Sequence, residues 1–375
     1  MSTFNPNGDT STSEYLADEE QEEQIEENWE DEDEEDSLPS RFSISVSRRD
    51  FDVEGIVRRL RNEDIEIPDF QRNYVWKPKQ ASRLIESLLL GLPVPGIFMS
   101  IEPETKKMLV LDGQQRLISL RSFYDGKFPN SRTAFCLKGV HQKFERETYK
   151  SLKDADRRQL DNSVLSATIV EPRHNNEDSI YYIFERLNTG GTLLKPQEIR
   201  ACIYHGALNE LIHKLNKNDY WRELFGKDVD KNKKDQELIL RFLALYFDGN
   251  NYKPPLKEFL NKYMKGNRHL KLQSEEQISK AFIETIEVVH QGISNKAFHP
   301  QKVFSPTLFE AVMVGIARRL EQGAIKNFDE LREWYNYLLN EEKFVAVSAK
   351  IRDLTSEHNI KERLRLGTEA FADLE

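Results

Sequence analysis

The segment Leu109-Val-Leu-Asp-Gly-Gln-Gln-Arg-Leu-Ile-Ser-Leu120 constrains this chain more than any other. Met108 to Leu111 is a short unbroken apolar run, which predicts a strand covered on both faces. Asp112 then stands where a helix N-cap belongs, and Gln115 follows three residues later at capping-box spacing. Leu117, Leu120 and Tyr124 recur at helical spacing and would pack the new helix back on its sheet. A helix that starts directly after a strand points backbone N–H groups out of the turn, and its dipole favours anions there. Arg116 adds a planar donor fork suited to phosphate. The same residues also fit a merely well-capped helix, so the neighbouring sequence has to decide.

Upstream, Ile67-Pro-Asp-Phe-Gln-Arg-Asn-Tyr-Val-Trp76 carries a second Gln-Arg pair, Gln71 and Arg72. Pro78 suits the first position of a helix whose apolar face is Leu84, Ile85, Leu88 and Leu89. Gly91-Leu-Pro-Val-Pro-Gly96 predicts a turn and Ile97 to Ile101 a strand. Residues 42–46 alternate as a strand does, and Val53 to Leu60 reads as a short helix with Arg58, Arg59 and Arg61 on its wet side. Val164 to Val170 is a further strand, with Ser166 and Thr168 alternating against Leu165, Ala167 and Ile169. From Glu177 onward the pattern is helical. Ile180, Ile183, Phe184 and Leu187 form one apolar stripe; Leu238, Phe242, Leu245 and Tyr246 a second; Phe309, Val312, Met313, Ile316 and Leu320 a third. Strands mixed with helices and then helices alone predict an α+β protein. Its parts are an acidic arm over 1–40, a mixed α/β domain over 41–175 and a helical domain over 176–375.

These motifs, in this order, resemble the ParB/sulfiredoxin-like N-terminal domain of GmrSD-type, modification-dependent restriction proteins. The matching residues are Ile67-Pro-Asp-Phe-Gln-Arg72, Arg83-Leu-Ile-Glu-Ser87 with Gly91-Leu-Pro-Val-Pro95, and Asp112-Gly-Gln-Gln-Arg116. Phe184-Glu-Arg-Leu-Asn-Thr-Gly-Gly191 continuing to Arg200 completes the set, so that the resemblance spans roughly residues 42 to 205. It continues more weakly through Asp235 to Leu243 and Phe304 to Leu320. The resemblance implies a small ParB/sulfiredoxin-like α/β fold. It also implies nucleotide binding and hydrolysis at the Asp-Gly-Gln-Gln-Arg segment, coupled to recognition and destruction of foreign, often modified, DNA. Many relatives add an HNH nuclease domain. None of the eight histidines here, His141, His174, His205, His213, His269, His290, His299 and His358, stands in an Asp-His pair or an HNH-like pattern.

The residues support a working mechanism without a P-loop. Amides of the helix starting at Gly113 would hold phosphates, and Arg116 and Arg72 would neutralise charge growing on the transferred phosphoryl group. Gln71 belongs to the same nucleotide-binding set. Asp112 could hold Mg²⁺ through water, and Gln114 or Gln115 could orient the attacking water, the other being left to cap the helix. Asn188-Thr-Gly-Gly191 reads first as a glycine C-cap before a helix restarted at Pro196. As a second-tier candidate site, Asn188, Gly190 and Gly191 would supply backbone N–H groups to a phosphate or to a DNA strand, flanked by Arg186 and Arg200, each read as solvated or ion-paired before it reads as a ligand contact. Tyr74 and Trp76 beside Arg72 are either core anchors or stacking surfaces for a base.

Charge divides the chain. Residues 1–40 hold 16 Asp or Glu and no Lys or Arg, so against a total of −10 the remainder carries +6. Dense like charge with few apolar residues predicts a disordered arm, either solubilising or lying over a basic groove in competition with nucleic acid. Two cysteines, Cys136 and Cys202, and the lack of a signal-peptide pattern predict a reducing cytoplasmic setting. No apolar run reaches the roughly 20 residues that a membrane span needs. The expected partners are DNA and a nucleoside triphosphate, with a separate nuclease subunit and a homodimer as further options and no membrane. Three functional classes remain open: an NTP-hydrolysing defence enzyme acting on DNA, a non-catalytic DNA- or nucleotide-sensing module that recruits a nuclease, and a nuclease whose own site lies in the α/β domain.

Three patterns carry no chemistry. Glu104-Thr-Lys106 falls in a turn after Pro103, where no rigid strand aligns its groups on a metal. Asp228 and Asp230 begin like a calcium loop, but Lys233 and Ile239 occupy the positions of its glycine and bidentate glutamate. Basic runs at Lys231 to Lys234 and Lys262 to Lys271 read as solvated faces before they read as DNA contacts.

Overall fold

In the computed structural model the described residues are 44–67, 74–102, 105–129, 131, 133–172, 178–187, 195–230, 233–300, 302–348 and 353–375. Strand β1 (Ile44–Asp52) passes into helix α1 (Val53–Arg61), where Asp52 caps the helix by accepting from the Gly55 amide. A two-residue strand β2 (Ile65–Glu66) follows. Helix α2 (Pro78–Leu89) starts on proline, and Gln80 accepts from the Lys77 amide at 2.9 Å. Strands β3 (Ile97–Ile101) and β4 (Met108–Asp112) form a hairpin, and β4 feeds helix α3 (Gln114–Asp125). Helix α4 (Asp154–Asp161), strand β5 (Val164–Pro172) and helices α5 (Asp178–Leu187) and α6 (Pro196–Ile203) complete this part. The architecture is α+β, as the element order predicts.

The five strands lie in the order β1-β5-β3-β4-β2. Pairs β1/β5 and β3/β4 are antiparallel, whereas β3/β5 and β2/β4 are parallel. Side chains alternate across the sheet. Ile97, Met99, Val110, Leu165, Ala167 and Ile169 enter a core shared with α1, α2, α3 and α4. Leu111 and Val170 fall on the other parity, and both are buried. Helix α5 contacts β4 and β5 and buries Ile180, Tyr181 and Phe184. Coverage of both faces accounts for the unbroken apolar run of β4, although Met108 and Leu109 at its start are only half-buried.

Cα proximity divides the chain at residue 203/204. In the C-terminal unit the helices are α7 (Ala207–Leu215), α8 (Asp219–Phe225), α9 (Lys234–Asp248), α10 (Leu256–Gly266), α11 (Glu275–Val288), α12 (Pro306–Leu320), α13 (Phe328–Asn340), α14 (Glu342–Ser348) and α15 (Glu357–Phe371). The stripes read from the sequence on α9 and α12 understate their burial. Every residue from Asp235 to Leu245 except Glu237, and every residue from Thr307 to Ala317, is buried, because other helices surround both. Tyr246 and Leu320, at the ends of two stripes, are only half-buried.

Central placement puts charges inside, and each is answered. Asp235 accepts from Asn216 and Arg222, both at 2.9 Å, and Asn216 in turn accepts from the Trp221 indole at 2.9 Å. Glu310 of α12 meets Arg363 of α15 at 2.8 Å. Gly315 and Gly367 let these two helices touch backbone to backbone: a Cβ on Gly367 would overlap the Ala311 carbonyl, and one on Gly315 the Gly367 carbonyl. Among the described residues no helix is long and apolar enough to cross a membrane.

Candidate active site

Asp112 closes β4 opposite Phe98, beside a register irregularity between Phe98 and Met99. The helix does not start where the spacing predicts. Its N-cap is Gly113 rather than Asp112, in the left-handed region at φ 100° and ψ 10°. The position demands glycine twice over. Side-chain-bearing residues rarely adopt that conformation, and a Cβ there would stand 2.5 Å from Ile97 Cγ2 and 3.1 Å from Arg116 Nη2. Gly113 has no side chain with which to cap the first-turn amides, so that end of α3 keeps its anion-binding character.

Asp112, freed from capping, holds Arg116 instead. Arg116 Nη2 donates to Asp112 Oδ2 at 2.8 Å and to the Gly96 carbonyl at 2.9 Å. The guanidinium thereby ties the end of β4, the first turn of α3 and the loop before β3 together. Its side chain is only 16% exposed, against 42% for Asp112. The Arg116 Nε is buried and has no acceptor among the described residues.

The two glutamines have separate surroundings. Gln115 Oε1 accepts from the amides of Val75 at 3.1 Å and Trp76 at 3.3 Å, so it fastens the strap over residues 74–77 along α3 and does not complete a capping box. Gln114 is half-buried and has no hydrogen-bond partner among the described residues. Ser119 donates to the Gln115 carbonyl at 2.7 Å, so at the 2.7 Å contact between Tyr74 and Ser119 the phenol is the donor. Burial pushes the Tyr74 phenol pKa up, and its hydrogen bond to Ser119 opposes that shift. Trp76 packs against the core cluster, as does Tyr74.

Gln71 and Arg72 lie outside the described residues, as do Asn188, Gly190 and Gly191. The structure therefore brings together Asp112, Gly113, Gln114 and Arg116, and turns Gln115 to the strap. Of the arginines flanking the Asn188 loop, Arg186 is exposed. Arg200 is buried and donates to Gln197 Oε1 at 3.1 Å. No group of three or more His, Cys, Asp or Glu able to hold a metal occurs among the described residues. Asp112, with its second oxygen unengaged among the described residues, is the carboxylate of the turn. One carboxylate fits Mg²⁺ arriving with a nucleotide, because that ion takes most of its remaining ligands from phosphate and water. In the C-terminal unit Lys262 and Lys271 are exposed, while the guanidinium of Arg268 donates to the His205 carbonyl at 2.5 Å.

Sequence reasoning missed a cavity of about 660 Å³ beside the C-terminal half of α3, with Tyr74, Arg121, Ser122, Lys127 and Phe128 among its lining. Its walls come from separate stretches of chain, so no local pattern announces it. The one sequence signal is Gly126, which ends α3 in the left-handed region at φ 76° and so sets the path of the next residues.

The strand-turn-helix of this α/β domain thus sets a helix start without a side-chain cap beside an arginine fixed at two acceptors. Residues 53–205 match the family model described as GmrSD restriction endonuclease, N-terminal domain, a span that takes in strands β2 to β5, this turn and helices α1 to α6 but not β1. The chain is also 33% identical to a protein of Methanocaldococcus jannaschii described as uncharacterized. That match covers 21% of this chain and 18% of the relative, so the chain spans less than a fifth of that protein's length.

Proposed function

We propose that the β4–α3 turn binds and hydrolyses a nucleoside triphosphate, in a protein that acts on or senses foreign, modified DNA in restriction-type phage defence. One observation carries the reading: Arg116 is fixed by Asp112 and the Gly96 carbonyl, yet keeps a buried Nε without an acceptor among the described residues, beside an uncapped helix start. A buried donor left unmade costs about 1–3 kcal/mol, which a phosphate oxygen at the turn would relieve. In this reading the α3 amides hold phosphate, and Arg116, with Arg72, neutralises charge on the transferred phosphoryl oxygens. Gln114, which has no hydrogen-bond partner among the described residues, orients the attacking water. Asp112 would hold Mg²⁺, which supplies charge neutralisation on the phosphates when bound. Gln71, Asn188, Gly190 and Gly191 supply further phosphate contacts. The match to a restriction endonuclease domain supports DNA as the macromolecular partner.

Phosphate release from each NTP with Mg²⁺ present tests the assignment. A preorganised donor of this kind contributes about 3 kcal/mol, so Arg116→Ala should slow release on the order of a hundredfold. Equal rates in parent and variant would falsify the site. Parallel incubation with plain and modified DNA separates the classes of activity. Phosphate without nicks is the expected result, and nicks abolished by Asp112→Ala would move the proposal from NTP hydrolysis to DNA cleavage.

A further inference from the structure

The cavity beside α3 is lined by both apolar and charged side chains. Its apolar walls are Leu60, Ile65, Ile67 and Ile118, and Tyr74 and Phe128 meet edge-to-face at 5.6 Å. The volume of about 660 Å³ lies within the range of small-molecule sites. Three acids and three bases also line it, but they are not equally engaged. Asp125 is held by Arg61 at 2.5 Å, and Glu66 by Lys107 at 2.7 Å. Arg121 and Lys127 have no carboxylate partner among the described residues, which leaves two unanswered cations against Glu63.

Ser122 adds an independent observation. Ser119, one residue group earlier on the same helix, donates to the carbonyl four residues back, as Ser82 and Ser87 do on α2. Ser122 is 9% exposed, lines the cavity, and has no hydrogen bond from its hydroxyl among the described residues. The Lys127 backbone is also pinned: its amide donates to the Ser122 carbonyl at 3.1 Å, and Phe128 donates to the Thr133 carbonyl at 3.1 Å. Two cations and a hydroxyl thus share a cavity with an aromatic pair on a fixed backbone.

We propose that this cavity binds a phosphorylated nucleoside, with phosphate on Arg121, Lys127 and Ser122 Oγ and the base against Tyr74 and Phe128. Glu63 is left as an acceptor for a sugar hydroxyl. A bare phosphate leaves the aromatic side empty, and an uncharged apolar ligand leaves the cations unanswered. The same chemistry is offered by a free mononucleotide and by one nucleotide of a single strand. The site does not depend on hydrolysis at the β4–α3 turn.

Calorimetric titration of the full chain with AMP, and separately with a short oligothymidylate, tests this. For at least one probe, the double variant Arg121→Gln, Lys127→Gln should raise the Kd by about tenfold or more at an unchanged melting temperature. Arg116→Ala should keep the affinity within about twofold, so failure of the turn assignment and failure of this one can be told apart. Tighter binding of AMP assigns the cavity to a free nucleotide, and tighter binding of the oligomer assigns it to a strand. The proposal is overturned by absence of saturable binding with both probes, by full affinity in the double variant, or by an affinity lost with Arg116 instead.

Discussion

Gln114 and Gln115 are adjacent, chemically identical and predicted to differ completely. Gln115 Oε1 receives two backbone N–H groups, from Val75 and Trp76. A net hydrogen bond contributes about 0.5–1.5 kcal/mol, so Gln115→Ala should cost roughly 1–3 kcal/mol. The lower half of that range applies, because Val75 is exposed and water replaces part of what is lost. About 1.5 kcal/mol lowers the melting temperature by roughly 3–6 °C. Gln115→Glu keeps an acceptor in place and should melt within about 1 °C of the parent. Gln114→Ala removes no hydrogen bond among the described residues and should change stability by less than about 0.5 kcal/mol. Its effect should fall on turnover, on the order of a hundredfold if it positions the attacking water. Thermal unfolding and phosphate release on the same preparations read both quantities. If Gln114→Ala lowers the melting temperature while Gln115→Ala keeps it and loses turnover, the two roles have been reversed and the reasoning fails.

Other perturbations act elsewhere in the molecule. Gly367→Ala gains about 1 kcal/mol of helix propensity, but it forces α15 off the Ala311 carbonyl of α12, and a net loss of about 2 kcal/mol is expected in urea unfolding. Asp235→Asn leaves the mostly buried Arg222 without its counter-charge and should destabilise by about 3 kcal/mol, again read from the urea midpoint. Tyr149 and Tyr124 both donate to Asp161 Oδ1, at 3.0 and 2.6 Å. Burial first, then that hydrogen bond, raises the Tyr149 phenol to about 12, and Tyr124 shifts in the same direction. A pKa raised in the folded state means stability that is complete below pH 10 and lost as pH rises through about 12. Melting curves across pH 9 to 12 should therefore fall more steeply for the parent than for Tyr149→Phe, and identical slopes would remove the assignment.

The local signals that survive folding are those carried by backbone chemistry and apolar runs. Ile97 to Ile101 is bounded by Gly96 and a turn, and the strand occupies those residues. Pro78 and Pro196 each open a helix, as their lack of an N–H and fixed φ dictate. The cap of α3 was not legible, because Asp112 is drawn away by Arg116 while Gly113 is pressed by Ile97 from another strand. Gln115 likewise answers to amides 39 and 40 residues away, which no i,i+3 pattern contains. On α9 and α12 two acids outside the apolar stripes, Asp235 and Glu310, are buried against Arg222 and Arg363 brought in by other helices. Periodicity reports what a segment can do alone, and these side chains are settled by distant partners.

The strand order has a further consequence for how the chain can be made and cut. β5 is the last of the sheet's five described strands to leave the ribosome, yet it sits between β1 and β3, the two it joins. Until residues 164–172 emerge, β1 has no ladder partner among the described residues, and β3 carries an open flank. Nascent chains shorter than this should therefore be slow to consolidate and prone to associate through bare edges. A fragment ending at Asn162 should be aggregation-prone, even though it retains the whole Asp112 to Arg116 turn.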